Sequence, residues 1–158
     1  MFTDEAEIYV KAGKGGVGGK HFLREKNRPM GGPAGGDGGD GGSIYLIAQH
    51  NLNSLSDFRF NKEFLAPDGQ NGMGNKMAGR NGLDINIKVP CGTVIRNKKT
   101  GKKIIDLVKS DRPFLLAKGG KGGLGNYHFK TSRNQAPKYA QPGLPGEELE
   151  LELELKLI

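Results

Sequence analysis

The chain has no tryptophan, one cysteine, and only seven phenylalanines and four tyrosines in 158 residues. A single Cys91 cannot form an internal disulfide. That excludes the stapled frameworks of small secreted domains and favours a reducing compartment. Long apolar runs are missing too: Phe114-Leu-Leu-Ala117 falls far short of the roughly 20 residues that cross a bilayer. Met1 to Val10 carries Asp4, Glu5 and Glu7 and no apolar stretch, unlike a secretory signal. His21, His50 and His128 are scattered, without the spacing of metal ligands, so no metal is expected. These features predict one soluble, cytoplasmic domain over 1–158, with no membrane segment and a core of aliphatic side chains.

Glycine is what the chain has in excess: 27 of 158 residues, about 17% against roughly 7% in globular proteins. The spacing is more informative than the number. Gly13, Gly16 and Gly19 are three apart, as are Gly32, Gly35, Gly38 and Gly41. Gly36, Gly39 and Gly42 form another such row, and Gly119, Gly122 and Gly125 a further one. The pairs Gly69–Gly72, Gly79–Gly82 and Gly143–Gly146 repeat the step. Three residues per turn is the period of polyproline II, which has no internal backbone hydrogen bonds and must find partners outside itself. Where several such helices pack side by side, the inward position has room only for hydrogen. Flexible linkers would explain the composition but leave the recurring step unexplained.

Between the glycine rows lie short strand patterns. Leu149, Leu151, Leu153, Leu155 and Leu157 alternate with Glu150, Glu152, Glu154 and Lys156, which sorts leucine and charge onto opposite faces. Ala6, Ile8 and Val10 open the chain in the same way. Ser43–Ala48, Asp84–Val89, Gly92–Arg96, Lys103–Leu107 and Pro113–Lys118 are further candidates, bounded by Gly, Pro, Asn or Asp. No stretch has a helical period. The expected fold is all-β, a barrel or sandwich closed by the first and last strands.

Catalytic signatures are weak. Gly13–Gly18 and Gly120–Gly125 fit G-x-G-x-x-G, but neither leads into the helix that a dinucleotide site needs. G-x-x-x-x-G-K-[ST] is absent, so there is no P-loop. Gly35-Gly-Asp-Gly-Gly-Asp40 is half of a calcium β-helix repeat without a second copy; Asp37 and Asp40 are expected to bond amides of adjacent turns or face solvent. Nothing near Cys91 in sequence would activate it. Charge is the better signal. The net +7 conceals five Glu in residues 147–158 and, within 96–133, eleven Lys or Arg against Asp106 and Asp111. Lys118, Lys121, Lys130, Arg133 and Lys138, interleaved with Tyr127, His128, Phe129 and Tyr139, suit phosphates and unpaired bases. The aromatics fit a core beneath the loops equally well.

Six segments in order carry a family resemblance: Phe22-Leu-Arg-Glu-Lys26, Gly35-Gly-Asp-Gly-Gly39, Val89-Pro-Cys-Gly-Thr-Val94, Lys118-Gly-Gly-Lys-Gly-Gly-Leu-Gly-Asn126, Pro142-Gly-Leu-Pro-Gly-Glu-Glu148 and Glu154-Leu-Lys-Leu-Ile158. Together they resemble the N-terminal domain of the Obg (CgtA) GTPases over essentially the whole chain. The resemblance implies a β-barrel base bearing a projecting bundle of glycine-rich polyproline-II helices. It also implies docking on the large (50S) ribosomal subunit and its rRNA, in assembly or surveillance, with a link to the guanosine-tetraphosphate stress (stringent) response. Lys118, Lys121, Lys130, Arg133 and Lys138 are the expected RNA contacts. The glycines expected to build the bundle are Gly13, Gly16, Gly19, Gly32, Gly35, Gly36, Gly38, Gly39, Gly41, Gly42, Gly79, Gly82, Gly119, Gly122 and Gly125. The family's G domain, which binds GTP and Mg²⁺, would begin where this chain stops; the fragment is expected to be a monomer with no cofactor and no catalysis of its own. Met30, Ala34 and Asp40 depart from the usual family pattern, and Asp40 is expected to weaken phosphate attraction at its loop. The alternative is a protein-interaction scaffold that regulates the attached G domain without touching RNA.

Overall fold

The computed structural model describes residues 4–22, 31–109 and 112–156. Most of the Phe22–Lys26 motif, together with Met30, Leu157 and Ile158, lies outside the described residues.

Eight strands form, seven of them on the strand candidates and β3 outside them: β1 (Asp4–Lys11), β2 (Ile44–Gln49), β3 (Glu63–Leu65), β4 (Ile85–Pro90), β5 (Thr93–Asn97), β6 (Lys103–Leu107), β7 (Phe114–Ala117) and β8 (Glu148–Leu155). The first and last pair antiparallel over their full length, with Ile8 opposite Leu151 and Ala6 opposite Leu153. The pleat therefore sends Ile8, Val10, Leu151, Leu153 and Leu155 to one buried face. The strands form two sheets, β3-β1-β8-β5-β6 and β4-β2-β7, and among the described residues they do not close into a barrel. This corrects the barrel expectation. Each sheet ends in a short strand, such as the three-residue β3 or the four-residue β7, and no hydrogen-bonded ladder passes from one sheet to the other. Instead the sheets share one apolar core, with Ile44, Leu46, Ile87, Val89 and Leu116 of the smaller sheet joining Ile95 and the β1 and β8 residues of the larger. Cys91 packs against its margin. The β4–β5 turn needs Gly92, whose φ of +93° suits no side chain.

The glycine-rich sequence leaves this base in three excursions, each an outgoing and a returning segment. Segments s1 (12–19) and s2 (34–42) join β1 to β2, s3 (66–73) and s4 (77–83) join β3 to β4, and s5 (118–125) and s6 (140–147) join β7 to β8. Backbone hydrogen bonds link them every third residue. Gly13, Gly16 and Gly19 donate to the carbonyls of Gly42, Gly39 and Gly36. Ala12, Gly15 and Gly18 donate to Glu147, Leu144 and Gln141, so s1 is clasped from two sides. Side chains take the remaining amides at the same step. Asp68 and Asn71 accept from Lys14 and Val17, while Ser43, Asp40 and Asp37 accept from Gly119, Gly122 and Gly125. Every backbone N–H from residue 12 to 19 is thereby satisfied without a strand or helix.

Segments s1, s2 and s5 form a central triangle; s3, s4 and s6 lie around it. This geometry explains the glycines. A Cβ on Gly41 would lie 1.9 Å from the Gly13 carbonyl oxygen, one on Gly38 2.0 Å from that of Gly16, and one on Gly122 1.9 Å from that of Gly38. The central segments meet neighbours on two sides and carry two glycine rows; the outer ones carry one. The second rows on s1 and s5, Gly15 with Gly18 and Gly120 with Gly123, are as tightly enclosed as the first. Gly32 is different: among the described residues its Cβ would meet only the Lys130 Nζ, at 3.9 Å.

Candidate nucleic-acid interface

The three excursions turn at one end, farthest along each segment from the strands. The described residues there are 20–22 and 31–33, 74–76 and 126–139, and the last stretch begins with a single 3-10 turn, Asn126–Phe129. Asn126 is wholly buried and holds the first and third excursions together. Its Oδ1 accepts the Gly35 amide at 2.7 Å, its Nδ2 donates to the carbonyls of His21 and Pro137 at 3.1 Å each, and its own amide donates to Gly19 at 2.9 Å. The middle turn joins through Lys76, whose amide donates to the Ala34 carbonyl at 2.6 Å. Asn75 and Lys76 both sit in the left-handed region, at φ 58° and 59°, a conformation that costs a lysine energy and that tertiary contacts must hold.

The surface of this tip is basic. Lys20, Lys76, Lys130, Arg133 and Lys138 are exposed, and residues 126–139 contain no Asp or Glu. Among the described residues Asp37 is an acid that approaches it, and its Oδ1 is engaged by His128 Nε2 at 2.8 Å and by the Gly125 amide at 2.9 Å. Tyr127 stacks on His128 at 3.9 Å, with the Lys76 Nζ 5.6 Å from its ring centre. Lys130, Arg133 and Lys138 thus share one turn, and Lys130 reaches the first excursion beside Gly32. Lys118 and Lys121 are exposed on the flank of s5, below the tip, where their carbonyls accept from Glu147 and Leu144. Lys20, Lys76 and Asn126 escaped the sequence reading. The first two are isolated cations in sequence and join the patch only when the excursions converge. Asn126 closes a quoted glycine string, and polarity alone gives no sign that it is buried.

Acids gather on the strand base. On the outer face of the larger sheet Glu5 is directly opposite Glu154, and Glu7 opposite Glu152, an arrangement of like charges relieved by a Lys98–Glu7 ion pair at 2.9 Å. Hydrogen bonding to Glu7 raises the Lys98 ammonium, and the hydrogen bond that Tyr9 donates to Glu148 raises its phenol above the ordinary value. Asp40 is exposed on s2, and its Oδ1 accepts the Gly122 amide at 2.8 Å. The two G-x-G-x-x-G matches fall in s1 and s5, and no α-helix follows either among the described residues. Also among the described residues, no cluster of three His, Cys, Asp or Glu could hold a metal, and no helix is long and apolar enough to cross a membrane.

Comparison with known proteins bears on the same architecture. The GTP1/OBG family model matches residues 3–157. The "GTPase Obg" of Chlorobaculum parvum is 53% identical over 157 residues, covering 99% of this chain and 47% of the relative. That of Clostridium novyi is 51% identical over 158 residues, covering 100% and 37%, and that of Aquifex aeolicus 53% over 157 residues, covering 99% and 46%. The chain spans less than half the length of these curated relatives. With a match running almost end to end, the chain belongs to the GTP1/OBG family.

Proposed function

We propose that this chain is a docking module that places its glycine-built tip against the rRNA of the large ribosomal subunit, as the N-terminal part of a GTP-hydrolysing protein. The convergence of three excursions on one basic tip, whose third turn 126–139 has no acid, carries this reading. Phosphates attract such a surface at long range, while the acidic outer face of the larger sheet is repelled, so encounter favours the tip. In this reading the six segments are polyproline-II helices, stiff because their amides are bonded outward at every turn. Lys130, Arg133 and Lys138 meet phosphate at the tip, and Lys118 and Lys121 extend the contact along its flank. The protein acts in the cytoplasm as a monomer. GTP and Mg²⁺ belong to a G domain elsewhere in the parent protein, and the module couples that domain to subunit assembly or to the stringent response.

Co-sedimentation of this chain with purified large subunits across a salt series tests the proposal. Saturable binding that weakens steeply with salt is expected, because phosphate contacts release counterions. Salt-insensitive association would instead favour the protein-scaffold alternative, and no binding at low salt would sink RNA docking by this chain.

A further inference from the structure

Tyr139 differs from the other aromatic residues of the tip. Tyr127 is engaged by His128 and Lys76. Phe129 is half-buried, and Tyr139 lies against it with ring centres 5.1 Å apart and planes at 43°. Tyr139 itself keeps 51% of its surface exposed. The backbone on either side is fixed: the Pro137 carbonyl accepts from the Asn126 side chain at 3.1 Å, and the Gln141 amide donates to Leu124 at 3.0 Å. Lys130 follows Phe129 in the chain and Lys138 precedes Tyr139, so the aromatic pair is flanked by two exposed cations.

We propose that Tyr139, propped on Phe129, is a stacking shelf for one unpaired RNA base, with Lys130 and Lys138 meeting the phosphates of that strand. The proposal rests on the RNA-docking reading and narrows it to single-stranded RNA. Bases inside a duplex stack on one another and present no free face, whereas a splayed base stacks on an exposed ring whatever its identity. A tyrosine that merely shields Phe129 from water would do so equally well as leucine.

The chain contains no tryptophan, so Tyr139→Trp introduces a sole indole whose emission reports stacking. Titration with a single-stranded oligoadenylate should quench it, and a blunt RNA duplex of equal length should not. Tyr139→Leu should bind the single strand about five-fold or more weakly, with duplex binding and the thermal midpoint unchanged. Quenching by duplex to the same extent, or wild-type affinity of the leucine variant for the single strand, overturns the shelf alone. Failure of the wild-type chain to bind either RNA overturns both the shelf and the docking reading. If the leucine variant misfolds, the indole titration decides by itself.

Discussion

The Asn126 side chain accepts the Gly35 amide at 2.7 Å, across 91 positions of chain. Two further bonds from the same amide group, to His21 and Pro137, make this one buried residue the joint of the tip. Asn126→Ala leaves the Gly35 N–H and the Pro137 carbonyl without their protein partner, while the His21 carbonyl keeps the Ala34 amide, at a cost of about 2 kcal/mol. The loss should appear first as faster hydrogen exchange at Gly35, with the β1–β8 amides still protected. Unchanged exchange at Gly35 would show that the tip does not depend on this joint.

Gly122 and Gly32 make a matched pair of tests. Alanine at Gly122 puts its Cβ 1.9 Å from the Gly38 carbonyl oxygen and 2.8 Å from that of Gly39, against backbone with no flexible side chain to give way. A loss of about 3 kcal/mol or more is expected on thermal or denaturant unfolding. Alanine at Gly32 meets, among the described residues, nothing closer than a lysine ammonium at 3.9 Å and should stay within about 0.5 kcal/mol of wild type. Equal effects at the two positions would contradict the packing account.

Asp40 accepts the Gly122 amide at 2.8 Å from the next segment. Asp40→Ala removes that acceptor and should cost about 1 kcal/mol, whereas Asp40→Asn keeps a carbonyl oxygen in place and should cost less. An asparagine variant as unstable as the alanine one would mean that the charge, rather than the acceptor, matters here.

Much of this architecture is legible in the sequence, and the gaps have physical causes. The Leu149–Leu157 alternation announces β8 because its two faces differ so sharply in polarity. The three-residue β3 escapes because Glu63-Phe-Leu65 is too short to show a period, and its parallel pairing with β1 is a tertiary event. The glycine rows reveal that something packs every third residue. Their pairing is invisible because the partners, such as Gly16 with Gly39 and Gly123, are joined only by the fold. Asp37 and Asp40 read as bonded to amides of adjacent turns or facing solvent; both accept glycine amides of s5, and Asp40 is exposed as well. The tip is the least legible part: Lys130, Arg133 and Lys138 cluster in sequence, but Lys20 and Lys76 arrive from other excursions.

That convergence predicts an asymmetry among the basic residues. Charge reversal at the tip, with Lys130→Glu, Arg133→Glu and Lys138→Glu together, should weaken binding to large subunits more than Lys118→Glu with Lys121→Glu on the flank. Neither set should shift the thermal midpoint appreciably, since all five side chains are exposed. A larger loss from the flank pair would move the RNA contact from the tip to the side of s5.

The most direct test of the central claim is the salt dependence of binding to purified large subunits, measured for the wild-type chain beside the triple tip variant. If the tip meets rRNA phosphates, the logarithm of the binding constant should fall linearly with the logarithm of salt. The variant should lose about 2 units of that slope, as roughly 0.7 is carried by each phosphate contact to a single strand. An unchanged slope in the variant would contradict the account, because the contacts that release counterions would then lie away from the tip.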